Sequence, residues 1–399
     1  MLFDPLRHEP LSCSPWGEQV ARAAIERIVA LCIQDYSPNE YWPSHPLDDD
    51  GKPAVFHNLY CGAAGTMWAL DYLCSVGMTT ALPNFSAVFE SLFDANRDEI
   101  KDDPSGTNGL LIADTGLLLL GVCLKGPVHV ADRMALAIDA NQSNPVMELM
   151  WGSPGTMLAA LIMHEKTGDA RWAEMFRGDA AALWNCMESV PSIKCHLWRQ
   201  ELYGSSVLLL GGVHGFAGNV LPLVRGWHLL SSDEQVAWAE RIEQTLRSTA
   251  MQEDGLANWP ASIGDPRPGR TDILVHHCHG APGIINCLAG WHDASLDDLL
   301  LKAGELIWTA GPLKKGANLC HGTAGNGYSF LKLYRRTKDE KWLIRARQFA
   351  MHAIGQYEHD LQQYGQLRYS LWTGDPGLAI YLWHCIKGTD DFPVIDACH

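Results

Sequence analysis

Residues 320–334 read Cys320-His-Gly-Thr-Ala-Gly-Asn-Gly-Tyr-Ser-Phe-Leu-Lys-Leu-Tyr334, a small-residue turn running straight into a mostly apolar segment of helical length. The same turn stands at Cys61-Gly-Ala-Ala-Gly65, Ile112-Ala-Asp-Thr-Gly116, Trp151-Gly-Ser-Pro-Gly155, His214-Gly-Phe-Ala-Gly218, His279-Gly-Ala-Pro-Gly283 and Thr373-Gly-Asp-Pro-Gly377. The first small residues lie at 62, 113, 152, 215, 280, 322 and 374, with Ala113 replacing glycine in the second copy. Self-similarity on this scale marks a repeat architecture, in which no unit buries its apolar face alone.

The segment after each turn is apolar on all sides, as in Thr156 to Met163, which predicts a helix buried nearly all round. Between these segments lie amphipathic ones, from Gly17 to Gln34, Asp233 to Met251, Leu296 to Ala310 and Glu340 to Tyr357; Ser14-Pro15 reads as the cap and first-turn proline of the first. Period-2 strand patterning is nearly absent. The expectation is an all-α fold, an (α/α)7 toroid of seven inner and seven outer helices, forming one domain over residues 1–399. The turn glycines let the chain bend tightly, and all seven inner N-termini should face one mouth, where their N–H groups favour a carboxylate or thiolate.

A formal net charge of −16 speaks against nucleic acid or an anionic membrane as partner, since both attract basic patches. A hydrophobic content of 47% with 15 Trp excludes whole-chain disorder. The opening MLFDPLRHEPLSCSPW is charged and proline-broken, and no stretch reaches the roughly 18 apolar residues of a membrane span, so a cytoplasmic protein without a membrane anchor is expected. Twelve scattered cysteines lack the spacing of a disulfide framework, which leaves those beside histidines as metal candidates.

Equivalent repeat positions occupy equivalent places around a ring, so the residues one and two before each marker should line the mouth. Reactive pairs are read there in three repeats: Val213-His214, Cys278-His279 and Cys320-His321. The shared register brings Cys278 and Cys320 together although they are 42 residues apart, with His321 attached. Two thiolates and one imidazole suit a tetrahedral Zn2+ whose fourth position stays open to water or substrate, as in catalytic zinc. His276, His277 and His279 crowd the same segment, and at most one adds a ligand. A zinc held by two thiolates is formally neutral and takes a further thiolate well, so a thiol substrate is expected. Thiol attack on an electron-poor alkene leaves an enolate that needs a proton, and His214 is the nearby group that titrates in the right range.

Leu274-Val-His-His-Cys-His-Gly-Ala-Pro-Gly283 and Lys314-Lys-Gly-Ala-Asn-Leu-Cys-His-Gly-Thr-Ala-Gly-Asn326 resemble the two zinc motifs of the lanthionine synthetase C-like family, and Val213-His-Gly-Phe-Ala-Gly218 resembles its catalytic-histidine motif. The resemblance runs from about Tyr60 to Tyr381 and implies an α/α toroid with zinc on Cys278, Cys320 and His321 and with His214 as acid/base. In the lanthipeptide cyclases of the family, peptide cysteines add to dehydroalanine or dehydrobutyrine to make thioether rings; in the animal branch, glutathione is bound and added to dehydroamino acids in proteins. The cyclases carry Tyr after the first zinc cysteine and Arg four before it, where this chain has His279 and Leu274, and the animal-type wording fits better. The resemblance makes Lys315 a glutathione contact, with His279 as a second substrate-side residue, and Glu148 the acidic partner that orients substrate or holds the site's protons.

Two stretches break the repeat spacing, Val190 to Ser206 and Gln252 to Val275; each precedes a reactive turn and is a candidate substrate-gripping loop or lid. Asp114 and Asp375 lie within turns, where helix capping accounts for them. The expected function is zinc-dependent addition of a thiol, glutathione first, to dehydroamino-acid residues of a peptide or protein. The alternatives are a lanthipeptide cyclase using peptide cysteines and a non-catalytic zinc- or glutathione-binding adaptor. Glycoside hydrolases on α/α toroids use paired carboxylates and have no need of aligned cysteines.

Overall fold

A computed structural model describes residues 1–48, 55–126, 129–264 and 273–396. Among them, seven α-helices begin on the small-residue turns: α2 (Ala63–Ser75), α4 (Asp114–Cys123), α6 (Ser153–Thr167), α8 (Phe216–Arg225), α10 (Ala281–Leu288), α12 (Thr323–Thr337) and α14 (Asp375–Lys387). Seven others alternate with them: α1 (Glu18–Gln34), α3 (Phe89–Ile100), α5 (Val130–Asn141), α7 (Ala170–Cys186), α9 (Ser232–Thr249), α11 (Asp297–Ala310) and α13 (Glu340–Tyr364). Each even-numbered helix packs on the next, and α14 returns to α2, which closes an inner ring inside an outer one.

Burial follows the two kinds of sequence. All residues of α6 from Ser153 to Met163 are buried, as are those of α12 from Thr323 to Leu333. The outer α1 instead buries the stripe Ala21, Ala24, Ile25, Ile28, Val29 and Cys32, the spacing of one helix face. Helix ends are marked locally where the chain turns back: Ser231 and Glu234 form a capping box at the start of α9, and Gly365 takes the left-handed conformation that stops α13.

The last glycine of each turn has one steric cause throughout. A Cβ there would lie between 1.8 and 2.6 Å from the carbonyl oxygen of the residue six positions earlier, for all seven copies from Gly65 against Leu59 to Gly377 against Leu371. The first residue of each turn is the N-cap of its inner helix and is extended in five copies, which is why Ala113 is accepted at φ −118°. Only Gly215 (φ 135°) and Gly280 (φ 96°) need the conformation that favours glycine.

Backbone hydrogen bonds stitch these turns together around the mouth. Tyr60 N–H donates to Leu111 O (2.9 Å), Leu111 N–H to Met150 O (3.0 Å), Cys278 N–H to Cys320 O (3.4 Å), Cys320 N–H to Trp372 O (2.9 Å) and Trp372 N–H to Tyr60 O (3.0 Å). The residues two before each marker therefore form a relay in which Cys278, Cys320, Trp372 and Tyr60 are successive neighbours.

The helical reading holds, with two local corrections. Ser14-Pro15 does not cap α1: the helix opens at Glu18 behind Gly17, which makes no side-chain cap. The spacing-breaking stretches carry short strands that length alone hid, since runs of two to five residues leave too little alternation to read. They are β1 (Glu188–Val190) with β2 (Cys195–Leu197), β3 (Arg199–Leu202) with β4 (Ser205–Leu209), and β5 (Met251–Glu253) with β6 (Leu256–Asn258), while β7 (Ser262–Ile263) adds to β4. Tyr203 (φ 50°) and Gly204 (φ 71°) make the two-residue turn of the β3–β4 hairpin. Residues 265–272 of the second stretch lie outside the described residues. No helix among the described residues is long and apolar enough to cross a membrane.

Candidate functional site

The turns before α10 and α12 bring two thiols together: Cys278 Sγ and Cys320 Sγ are 2.7 Å apart, and His321 Nε2 is 3.7 Å from Cys320 Sγ. His321 is steadied from its own loop, where Asn318 Oδ1 accepts from its backbone N–H at 2.9 Å. Both cysteines are free and buried. His276 completes a set with Cys278 and His321 whose donor atoms lie within 4.8 Å of one another. Its Nδ1, however, accepts the backbone N–H of His279 at 3.3 Å, which leaves Nε2 carrying the proton of a neutral ring.

This cluster is able to hold a metal ion, and its softest donors are the two sulfurs, with His321 Nε2 beside Cys320. Two tetrahedral ligands at about 2.3 Å from zinc lie roughly 3.8 Å apart, so holding such an ion parts the sulfurs by about 1 Å. The electrostatics divide the pair. Burial opposes charge at Cys320, but the hydrogen bond from Cys278, the His321 imidazole and the Tyr60 hydroxyl together outweigh it, and the thiol falls well below its ordinary range. Cys278 lies well above, through burial first and then the bond to Cys320 and the charge there.

A second pair stands beside the first. His214 Nδ1 is 2.9 Å from Glu148 Oε2. Glu148 is fully buried, and its carboxylate also accepts the backbone N–H groups of Met150 (2.9 Å) and Trp151 (2.5 Å). A carboxylate fixed by two amides accepts a hydrogen bond from the imidazole Nδ1–H, which keeps that proton on the ring and leaves Nε2 as the atom that exchanges protons. His279 neighbours both groups, its ring centroid 6.3 Å from that of His214 and 5.8 Å from that of His276. From the other side, the turn of the β3–β4 hairpin sets Tyr203 edge-on to His214 with centroids 6.3 Å apart, and its hydroxyl accepts from Trp151 Nε1 at 3.2 Å.

Lys315 does not join either pair. It lines a cleft of about 950 Å³ that reaches His321 and is also lined by Lys314, His352, Asp360 and Arg368. The cleft mixes charged and apolar lining, is of the size of a small-molecule site, and is walled on one side by the N-terminal segment, whose Glu9 meets His352 Nε2 at 2.7 Å. Asp114 and Asp375 do not cap their helices, whose N-caps are Ala113 and Gly374: Asp114 is held by Arg97 of α3, and Asp375 accepts the backbone N–H of Arg368.

Sequence reasoning missed residues that share the register of the cysteines. Reactive groups were read at three turns only, yet Tyr60 and Cys61 occupy the same two positions of the first turn, and the Tyr60 hydroxyl donates to Cys320 Sγ at 2.8 Å. The signal was present: Asn58-Leu-Tyr-Cys-Gly62 repeats Asn318-Leu-Cys-His-Gly322. Tyr203 had no comparable signal, because its place over His214 comes from a hairpin outside the repeat.

The family described as lanthionine synthetase C-like protein matches residues 52–397. A zebrafish (Danio rerio) protein named glutathione S-transferase LANCL1 is 33% identical over 190 residues, 46% of this chain and 43% of that protein. LanC-like protein GCL1 of Arabidopsis thaliana is 34% identical over 147 residues, 36% of this chain and 32% of that protein. The chain thus aligns with less than half the length of either relative. Among solved structures, nisin cyclase superposes with a TM-score of 0.60 over 94% of this chain and 99% of its own at 15% identity, a likeness of fold.

Proposed function

The chain belongs to the lanthionine synthetase C-like family, and from that premise we propose that it adds a thiol, glutathione before any peptide cysteine, to dehydroalanine or dehydrobutyrine residues of peptides or proteins, forming a thioether with the aid of zinc. Cys278, Cys320 and His321 would hold the ion, which would supply the Lewis acidity that makes a thiol nucleophilic at neutral pH. The chain's own residues do the rest. Lys315 and the cleft beside His321 receive the carboxylates of the thiol, where an ammonium is well matched. His279 stands on the substrate side between this cleft's end of the mouth and His214.

The thiol sulfur forms its bond to the alkene β-carbon, and the π pair moves onto the neighbouring carbonyl oxygen as an enolate. His214 Nε2 takes up the proton the thiol loses and returns it to the α-carbon, so no proton is gained or lost overall. Glu148 keeps the Nδ1 proton in place and offsets the positive charge that His214 carries in between. The observation that carries this reading is the Glu148–His214 pair at 2.9 Å beside two thiols 2.7 Å apart. Support for glutathione comes from the name of the zebrafish relative and from the basic residues of the cleft. We place the activity in the cytoplasm, where the eleven described cysteines, all free, stay reduced.

The test is incubation of zinc-loaded protein with a dehydroalanine peptide, with glutathione or with a cysteine-containing peptide, read by mass. A gain of one glutathione per dehydroalanine is expected. His214→Ala should lower the rate about 100- to 10,000-fold while zinc content is unchanged. A His214→Ala protein as fast as the parent removes the proton carrier, and ring closure in the peptide without use of glutathione turns the reading to a cyclase.

A further inference from the structure

The phenol of Tyr60 touches the sulfur pair, and the thiol-addition chemistry described above makes no use of it. Its oxygen lies 2.8 Å from Cys320 Sγ. In this bond the hydroxyl is the donor and the sulfur the acceptor. The residue is held through its ring and through its backbone. It stacks on Trp372 with centroids 5.7 Å apart and planes 28° apart. Its carbonyl accepts from Trp372 N–H at 3.0 Å, and its own N–H donates to Leu111 O at 2.9 Å. Trp372 in turn accepts from Cys320 N–H at 2.9 Å, so phenol and sulfur are held by one backbone relay.

We propose that Tyr60 is a positioning residue for the metal centre: its O–H hydrogen bond sets the direction of the Cys320 sulfur, aiming it at the space shared with Cys278 and His321. The inference rests on the reading of Cys278, Cys320 and His321 as ligands. A side-chain sulfur turns freely about χ1 unless something outside holds it, and each ligand needs a partner that orients it. His321 has one by way of Asn318, which accepts from its backbone N–H. For Cys320 the hydroxyl of Tyr60 fills that role, from the turn that is its repeat equivalent. A thiolate that accepts this bond also donates less electron density, so Tyr60 tempers the Cys320 sulfur as well as aiming it.

The experiment compares zinc affinity, by competition with a chelator, and the sulfur-to-metal charge-transfer absorption of the cobalt-substituted protein, in the parent and in Tyr60→Phe. The variant keeps the ring and its stacking on Trp372 and loses only the hydroxyl. A weakening of zinc binding by about 10- to 100-fold is expected, with a shifted cobalt band and an unchanged melting temperature of the metal-free protein. Tyr60→Ala should weaken binding further, and its stability serves as the control for lost packing. Parent-like affinity with an unshifted band in Tyr60→Phe overturns the proposal and leaves the ligand reading standing. A parent protein that takes up neither zinc nor cobalt overturns both.

Discussion

The first and sixth turns are the same piece of structure built twice. In one, Asn58 Oδ1 accepts from Cys61 N–H at 2.8 Å; in the other, Asn318 Oδ1 accepts from His321 N–H at 2.9 Å. The helix-starting bonds also match, Ala63 N–H to Phe56 O and Thr323 N–H to Gly316 O both at 2.9 Å, and Gly65 N–H to Asn58 O and Gly325 N–H to Asn318 O both at 3.3 Å. Their chemistry at the mouth diverges at the two positions before the first glycine. Tyr60-Cys61 faces Cys320-His321, and burial pushes the Cys61 thiol up to about 12, so it stays protonated, whereas its counterpart loop holds the acidic sulfur. The fold needs the asparagine and the glycines and is indifferent to what lies between; the function occupies the indifferent positions.

The strongest challenge to that division is to remove one sulfur from each turn. Cys320→Ala should abolish stoichiometric zinc and with it the thiol addition, while Cys61→Ala should leave metal content, measured by elemental analysis, at the parent value. Equal loss in both would mean that the two turns do not differ as described.

The glycines should behave in the opposite way, costing alike in both turns. Gly325→Ala sets a Cβ 1.8 Å from Leu319 O, and Gly65→Ala one 2.2 Å from Leu59 O, both backbone atoms that cannot step aside. Each should destabilise by about 3 kcal/mol, measured by denaturant unfolding, whether or not its turn carries chemistry.

A smaller effect separates structure from site within one residue type. Asn58→Ala loses the bond from Cys61 N–H, and Asn318→Ala the bonds from His321 N–H and to Lys315 O, each worth about 1 kcal/mol of stability. Only Asn318→Ala should also weaken zinc, because one bond it loses steadies His321. Chelator competition on both variants reads this directly.

A change that leaves the metal site alone sharpens the comparison through the turn that joins them. Asp375, in the turn after Trp372, has its carboxyl pushed up to about 7 by burial. The folded protein therefore keeps a proton that the unfolded chain, with an ordinary carboxyl near about 3.9, has released. Folding stability from this group is present at low pH and is lost as pH rises from about 4 to about 7. Asp375→Asn should flatten that part of the pH–stability curve, as followed by melting temperature, without altering zinc affinity.

Much of this was legible beforehand. Periodicity found the helices because an inner helix buried on all faces and an outer one buried on a stripe leave different apolar patterns, and the outer α9, α11 and α13 begin within a residue of where the pattern set them. The cysteines were legible because a repeat converts distance along the chain into position around a ring. Tyr60 was passed over because a phenol is not a metal ligand and its value depends on what stands next to it. The strands and the hairpin carrying Tyr203 escaped because they are short and belong to no repeat.

From the chain of amino acids alone came the count of turns, the two kinds of helix and the register that aligns Cys278, Cys320 and His321, since each is a matter of local pattern repeated. What only the tertiary structure decided is the meeting of parts with unrelated patterns: the Glu148 carboxylate on His214, the Tyr60 hydroxyl on Cys320 and the hairpin tyrosine over the mouth. The same proximity decided the role of the last glycine in each turn, which serves the carbonyl pressed against it more than any bend of its own. Contacts of this sort depend on through-space distances of about 3 Å between side chains far apart in sequence, and no local pattern encodes them.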